Sequence, residues 1–261
     1  MTRRARPAAL LAGLVIASLA VAIAWPFRSG SREEVGSAVA GVAAVIDASA
    51  PRWDIFNAQF CGGVLIAPNQ VLTAAHCLVD KVAERLDVVI GADNLCRDNE
   101  ISGHRVGVLG IAVHPRYDRE SGSYDLAILT LVEDVPDPVR HLAKPPSSPS
   151  PLIALGWGTP SVGGVPSCRL METALVLEPP GVCSATIPPD GPRRFQALSM
   201  ICASPQAEQG DTCTGDSGGP VLSGGDLAEA DVVGIVSWGH GCSGGIPGVY
   251  ARADLAMEFV R

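Results

Sequence analysis

Aromatic residues are scarce in this chain, 5% of its 261 residues, and no apolar spacing of helical period persists along it. A core with few rings and no long amphipathic helices has to be assembled from short aliphatic strands. The 29 glycines and 21 prolines fall largely between short Val, Ile and Leu runs, the punctuation of an all-β protein. Basic excess is lacking as well. Lysine and arginine number 19 against 27 acids, a formal net charge of −8, so nucleic acid is not an expected partner. The eight cysteines include no C-x-x-C pair, which removes the usual zinc spacing. No internal repeat is visible.

Long apolar runs are confined to the start. Arg3, Arg4 and Arg6 precede an uncharged stretch from Pro7 to Phe27, with small-residue sites at Ala20-Val21-Ala22 and Ala22-Ile23-Ala24. These are the parts of a secretory signal peptide, although about 20 apolar residues could also span a bilayer. Residues 1–24 are therefore expected to be a signal peptide, or else a retained membrane anchor with the rest of the chain outside. Residues 25–38, polar and small, are expected to be a propeptide or linker. Either way the chain is exported, and eight cysteines in an exported chain read as disulfides. Spacing alone does not choose their connectivity.

Strand-like runs then alternate with turns: Gly62 to Ile66, Val71 to Thr73, Leu86 to Ile90, Arg105 to Val113 and Asp125 to Val132. The segment 141–151 holds four prolines and three serines without apolar alternation, which predicts a semi-extended strap. A second set of runs follows, at Leu152 to Leu155, Glu172 to Leu177, Met200 to Ala203, Pro220 to Leu222, Val232 to Trp238 and Gly248 to Ala251.

The chemistry is concentrated in Asp211-Thr212-Cys213-Thr214-Gly215-Asp216-Ser217-Gly218-Gly219-Pro220. A serine hydroxyl is a poor nucleophile unless a base takes its proton and donors hold the oxyanion it creates. Glycines around Ser217 let main-chain N–H groups converge on one spot. A base is available upstream in Thr73-Ala74-Ala75-His76-Cys77, and an orienting acid in Tyr124-Asp125-Leu126-Ala127-Ile128-Leu129. Gly215 to Gly219 also fits the G-x-S-x-G elbow of α/β-hydrolases, but that fold places its acid and histidine after the serine. Only His240 follows Ser217.

With its motifs in the order His, Asp, Ser, the chain resembles the trypsin-like (chymotrypsin-fold) serine proteases from about Phe60 to Arg252. The resemblance implies two antiparallel six-stranded β-barrels, about 39–140 and 152–250 within a peptidase domain of 39–261, with the strap between them. The active site lies at the barrel junction, and a short C-terminal helix follows. It implies a serine endopeptidase working through an acyl-enzyme, with His76 as base, Asp125 holding its tautomer, Ser217 as nucleophile and the N–H groups of Gly215 and Ser217 as the oxyanion hole. Asp211 falls where relatives that cut after Arg or Lys carry the pocket acid. Gly239 and Gly248 fall at the pocket wall, and Ser237-Trp238-Gly239 at the edge that binds substrate main chain.

Asp216 would pair with a newly cut terminal ammonium. The mature chain of relatives starts Ile/Val-Val-Gly-Gly, and Val35-Gly36-Ser37-Ala38 and Val39-Ala40-Gly41-Val42 match this imperfectly. A new N-terminus between Glu33 and Val39 is expected. The resemblance pairs Cys61 with Cys77, Cys183 with Cys202, and Cys213 with Cys242. Cys96 and Cys168 have no partner in the common family pattern and are expected to pair with each other. The loop at about 91–100 lacks a clear pair of acidic ligands, so no calcium or other metal is expected, and no organic cofactor. Expected partners are polypeptide substrates and a protein inhibitor, with the chain a monomer. The rival from another class is a protease-fold binding protein without catalysis, whose usual signature is a missing triad member. Here all three are present.

Overall fold

Short aliphatic runs separated by turns leave each sheet with one apolar face, and closing the sheet on itself buries that face while removing both edges. The computed structural model describes residues 39–96, 103–159, 163–190, 192–206, 211–242 and 245–260, and in them the chain closes two such barrels. The first is built from β1 (Val42–Asp47), β2 (Gln59–Ala67), β3 (Gln70–Thr73), β4 (Leu86–Ile90), β5 (His104–Val113) and β6 (Ala127–Leu131), in the order β1-β2-β3-β6-β5-β4. The second comprises β7 (Ser150–Gly156), β8 (Met171–Leu177), β9 (Met200–Pro205), β10 (Pro220–Ser223), β11 (Val232–Trp238) and β12 (Gly248–Arg252), in the order β10-β11-β12-β9-β8-β7. Every pairing is antiparallel, with β1 closing on β4 and β10 on β7. Leu65, Leu72 and Leu129 fill the first barrel, and Leu152, Leu175 and Tyr250 the second.

The expected signal or anchor segment, the propeptide and the new N-terminus up to residue 38 lie outside the described residues. Among those described, no helix is long and apolar enough to cross a membrane. The helical elements named among the described residues are α1 (Ile55–Ala58), α2 (Pro180–Thr186) and 3-10 turns, one of which, Ala253–Glu258, follows β12.

The strap is shorter than its composition suggests. Ser150 and Pro151 pair with Leu177 and Val176 in β7–β8, so the crossing occupies 141–149. Its first residues are held by β11, where Val232 N donates to His141 O and Ala143 N to Val232 O. Four disulfides join Cys61–Cys77, Cys96–Cys168, Cys183–Cys202 and Cys213–Cys242. The Cys96–Cys168 bridge ties the two barrel units together, flanked by main-chain bonds from Leu95 N to Cys168 O and Leu170 N to Asp93 O, each 2.9 Å.

It closes a separation of 72 residues, for which loop-closure entropy amounts to about 4 kcal/mol. Replacing both cysteines by alanine is expected to lower the urea midpoint by a corresponding amount. An unchanged midpoint would mean that the flanking main-chain bonds hold this junction by themselves.

Candidate active site

The serine turn is seated where the barrels meet. Gly218 adopts φ +81°, and a Cβ there would lie 2.3 Å from Thr73 Oγ1 and 2.6 Å from Gly62 O. Only glycine allows this approach. Gly62 N of β2 donates to Ser217 O at 2.7 Å, while Gly218 N donates to Val236 O of β11. The turn that leads into β10 is thus stitched to both barrels through the single peptide unit that joins Ser217 to Gly218. Thr73, which it touches, ends β3 and leads directly into the 3-10 turn Ala75–Leu78 carrying His76. Cys77 next to it is tied to Cys61 in β2, which keeps that turn against the strand.

Asp125 follows Tyr124, whose φ is +53°, and its side chain is 3% exposed. The cost of burying a carboxylate is offset by three donors. His76 N reaches Oδ1 at 2.8 Å, and His76 Nδ1 and Ser237 Oγ reach Oδ2 at 2.7 and 2.5 Å. An ionised carboxylate only accepts, so this geometry puts the imidazole proton on Nδ1 and leaves Nε2 with its lone pair. Nε2 lies 3.7 Å from Cys77 Sγ. Among the described residues no hydrogen bond joins Nε2 to Ser217 Oγ; such contacts commonly tighten only when substrate is bound. The arrangement can take a proton from a hydroxyl at the seam and stabilise the imidazolium that results. The hydroxyl contact of Ser237 adds to its expected place on the substrate edge.

Asp211 and Asp216 are both buried. Asp211 accepts from Thr212 N at 2.7 Å and from Thr212 Oγ1 at 3.4 Å. Burial pushes its carboxyl above the ordinary carboxylate range, with the Thr212 bonds opposing. Asp216 takes Gly158 N at 2.8 Å on Oδ1 and Cys213 N at 2.9 Å on Oδ2. Burial raises its pKa too, and the Asp211 charge adds to the shift. The described residues offer neither acid an ion pair. The two share a cavity of about 40 Å³ with Gly156, Gly158, Thr159 and Glu172. Tyr250 OH, fully buried, lies 3.1 Å from Thr212 Oγ1, and burial together with the Asp211 charge pushes its phenol up.

Gly239 and Gly248 face each other, a Cβ on the first falling 3.9 Å from the second's Cα. Trp238 ends β11 beside Gly122 of the loop before Asp125, with its ring edge-on to His240 at 5.9 Å. Cys61, His76 and Cys77 place ligand-type atoms within 4.8 Å of one another. Both sulfurs are consumed by their disulfide, so the cluster offers a metal only one imidazole.

Comparisons with known proteins agree with this architecture. The Trypsin family model matches residues 40–260. A trypsin of Saccharopolyspora erythraea is 34% identical over 209 residues, covering 77% of this chain and 86% of that protein. Bovine coagulation factor XII is 33% identical over 227 residues, covering 80% of this chain but 36% of that protein. Glucanase inhibitor protein 3 of Phytophthora infestans is 31% identical over 211 residues, 77% of each. Among solved structures, the Vibrio cholerae VesB protease superposes with a TM-score of 0.67 at 28% identity, over 84% of this chain and 62% of that one. The family match begins before β1 and ends beyond β12, leaving no part of either barrel outside it, and the chain belongs to the trypsin family of serine proteases.

Proposed function

We propose that this protein is an exported serine endopeptidase that cleaves polypeptides after Arg or Lys through His76, Asp125 and Ser217. The observation that supports it most is the Asp125 carboxylate closed around His76, with Nε2 left as acceptor beside a seam that presents Ser217. Ser217 Oγ attacks the scissile carbonyl carbon as its proton passes to His76 Nε2. The N–H groups of Gly215 and Ser217 hold the oxyanion. When the intermediate collapses, the C–N bond breaks and the Nε2 proton goes to the leaving amine; water, deprotonated by the same nitrogen, then hydrolyses the acyl-enzyme. Acyl transfer by this route needs no metal or organic cofactor.

Asp211 is the proposed acid of the specificity pocket, with Gly239 and Gly248 as its wall and Ser237, Trp238 and Gly239 as the main-chain edge. Asp216 is the proposed partner of the ammonium created by cleavage between Glu33 and Val39. The enzyme acts outside the cell as a monomer, released by removal of residues 1–24 or tethered through them. A protein inhibitor entering the same cleft is its expected regulator. The rival reading, a binding protein without catalysis, draws on the relative named as a glucanase inhibitor, but this chain retains the histidine, acid and serine that catalysis needs.

A peptide-library digest with the purified protein tests the reading, and N-terminal sequencing of the active species accompanies it. Cleavage after Arg and Lys is expected, from a chain starting between residues 33 and 39. Cleavage after Phe or Ala would withdraw the specificity, and an unprocessed chain with full activity would withdraw the role given to Asp216.

A further inference from the structure

We propose that Gln59, a residue of the first barrel, is a positioning residue for the oxyanion hole of the second. This rests on the assignment of Ser217 and the Gly215 and Ser217 N–H groups above. The serine turn contains four consecutive carbonyls, and each is held. Thr214 O accepts from Thr159 N at 2.9 Å, Asp216 O from Gly219 N at 2.9 Å and Ser217 O from Gly62 N at 2.7 Å. Those three donors are main-chain groups that any side chain would leave in place. Gly215 O is the exception: it accepts from the side-chain amide of Gln59, Nε2, at 3.0 Å.

Two hole donors on separate peptide planes converge only if the plane between them is fixed. The Gly215 N–H belongs to the plane carrying Thr214 O, and the Ser217 N–H to the plane carrying Asp216 O. The plane between carries Gly215 O, and its own N–H, that of Asp216, bonds Cys213 O at 3.0 Å. Gly215 has φ +100° and no Cβ to resist rotation. Without an anchor on its carbonyl, it can swing that oxygen toward water and pull the two N–H vectors apart. A part-buried carbonyl left unpaired carries an uncompensated desolvation penalty, which supplies the drive for the swing.

Gln59 is itself firmly placed. It begins β2, pairs with Ile46 of β1 at a register shift, and is two residues from Cys61 with its bridge to Cys77. The geometry of the hole is therefore referred to the barrel that carries His76 and Asp125, and a neutral amide does this without titrating.

The test compares wild type with Gln59→Glu, which keeps the shape and replaces the donor by an acceptor, and with Gln59→Ala. Measured are kcat, KM, affinity for a peptide aldehyde matched to the library-selected residue, the rate of labelling by a serine-directed phosphonate, and Tm. Removing one hole donor outright lowers kcat about 10²- to 10³-fold; misaligning two is expected to lower it about 10- to 100-fold in both variants. KM should stay within about twofold, aldehyde affinity and labelling rate should fall with kcat, and Gln59→Asn, one methylene short, should not restore them. A Gln59→Glu enzyme with wild-type kcat overturns the proposal, as does a loss of kcat matched by a rise in KM and a fall in Tm, which would mark a merely structural contact. If wild type itself neither labels nor turns over, it is the assignment of Ser217 that fails.

Discussion

Replacing Ser217 by alanine is expected to lower kcat about 10⁴- to 10⁶-fold while leaving the protein folded. In the proposed mechanism the hydroxyl oxygen forms the new bond, and triad members act as a unit, so its removal would forfeit the work of His76 and Asp125 as well. What should survive is the small acceleration supplied by the oxyanion hole and by binding. Among the described residues the Ser217 hydroxyl makes no hydrogen bond, whereas its carbonyl is held by Gly62 N. Truncation therefore removes chemistry without removing a structural contact, and Tm should move little. Covalent labelling by a serine-directed phosphonate should disappear altogether. Labelling that persists in Ser217→Ala would place the nucleophile elsewhere and sink the triad assignment.

That turn was legible in sequence because its residue types leave few alternatives: an acid, a serine and glycines in a short stretch, with a histidine and an aspartate upstream in motifs of their own. Most strands were legible for a similar reason, since runs such as Leu86–Ile90 and Val232–Trp238 are β-branched and bounded by turns. β1 was not. Its sequence Val-Ala-Ala-Val-Ile-Asp carries two alanines that dilute the β signal, yet five of its six residues are buried. Pairing with β2 and β4 decides that strand, and pairing is a tertiary fact.

The same limit hid two side-chain contacts. Ser237 Oγ and Asp125 are 112 residues apart, and Gln59 and Gly215 are 156 apart. No local pattern marks either contact. His114, which follows β5, is fully buried, accepting Arg116 N on Nδ1 and stacked on Tyr124 with ring centroids 4.9 Å apart. Burial pushes its pKa down, with the Glu258 charge opposing, which suits a neutral ring packed beneath the residue that precedes Asp125.

Asp211→Ser is expected to lose about 10²- to 10³-fold in kcat/KM on Arg and Lys substrates, because the proposed pocket acid is buried without a cation of its own. A carboxylate in that position is held at a cost until a substrate guanidinium or ammonium completes the pair. Removing one member of a buried pair costs about 2–5 kcal/mol, which converts to that factor at mid-range. Reactivity of Ser217 toward a small phosphonate should be retained.

The raised pKa gives the prediction a second arm. Since burial lifts the folded-state value of Asp211 above the unfolded one, its protonated form is the one the fold favours. The associated stability is fully present below the unfolded pKa, about 3.9, and is lost as pH rises through the folded value. At pH 8 the ionised carboxylate is then a liability that serine does not carry, so Asp211→Ser should melt higher than wild type at pH 8, with the difference shrinking toward pH 4. Over the same acid range, KM of wild type for basic substrates should rise as the carboxylate is neutralised, and the variant's should not. A variant that keeps its preference for basic residues, or one that melts lower than wild type at pH 8, would show that Asp211 is solvated or paired, and the Arg and Lys specificity would go with it.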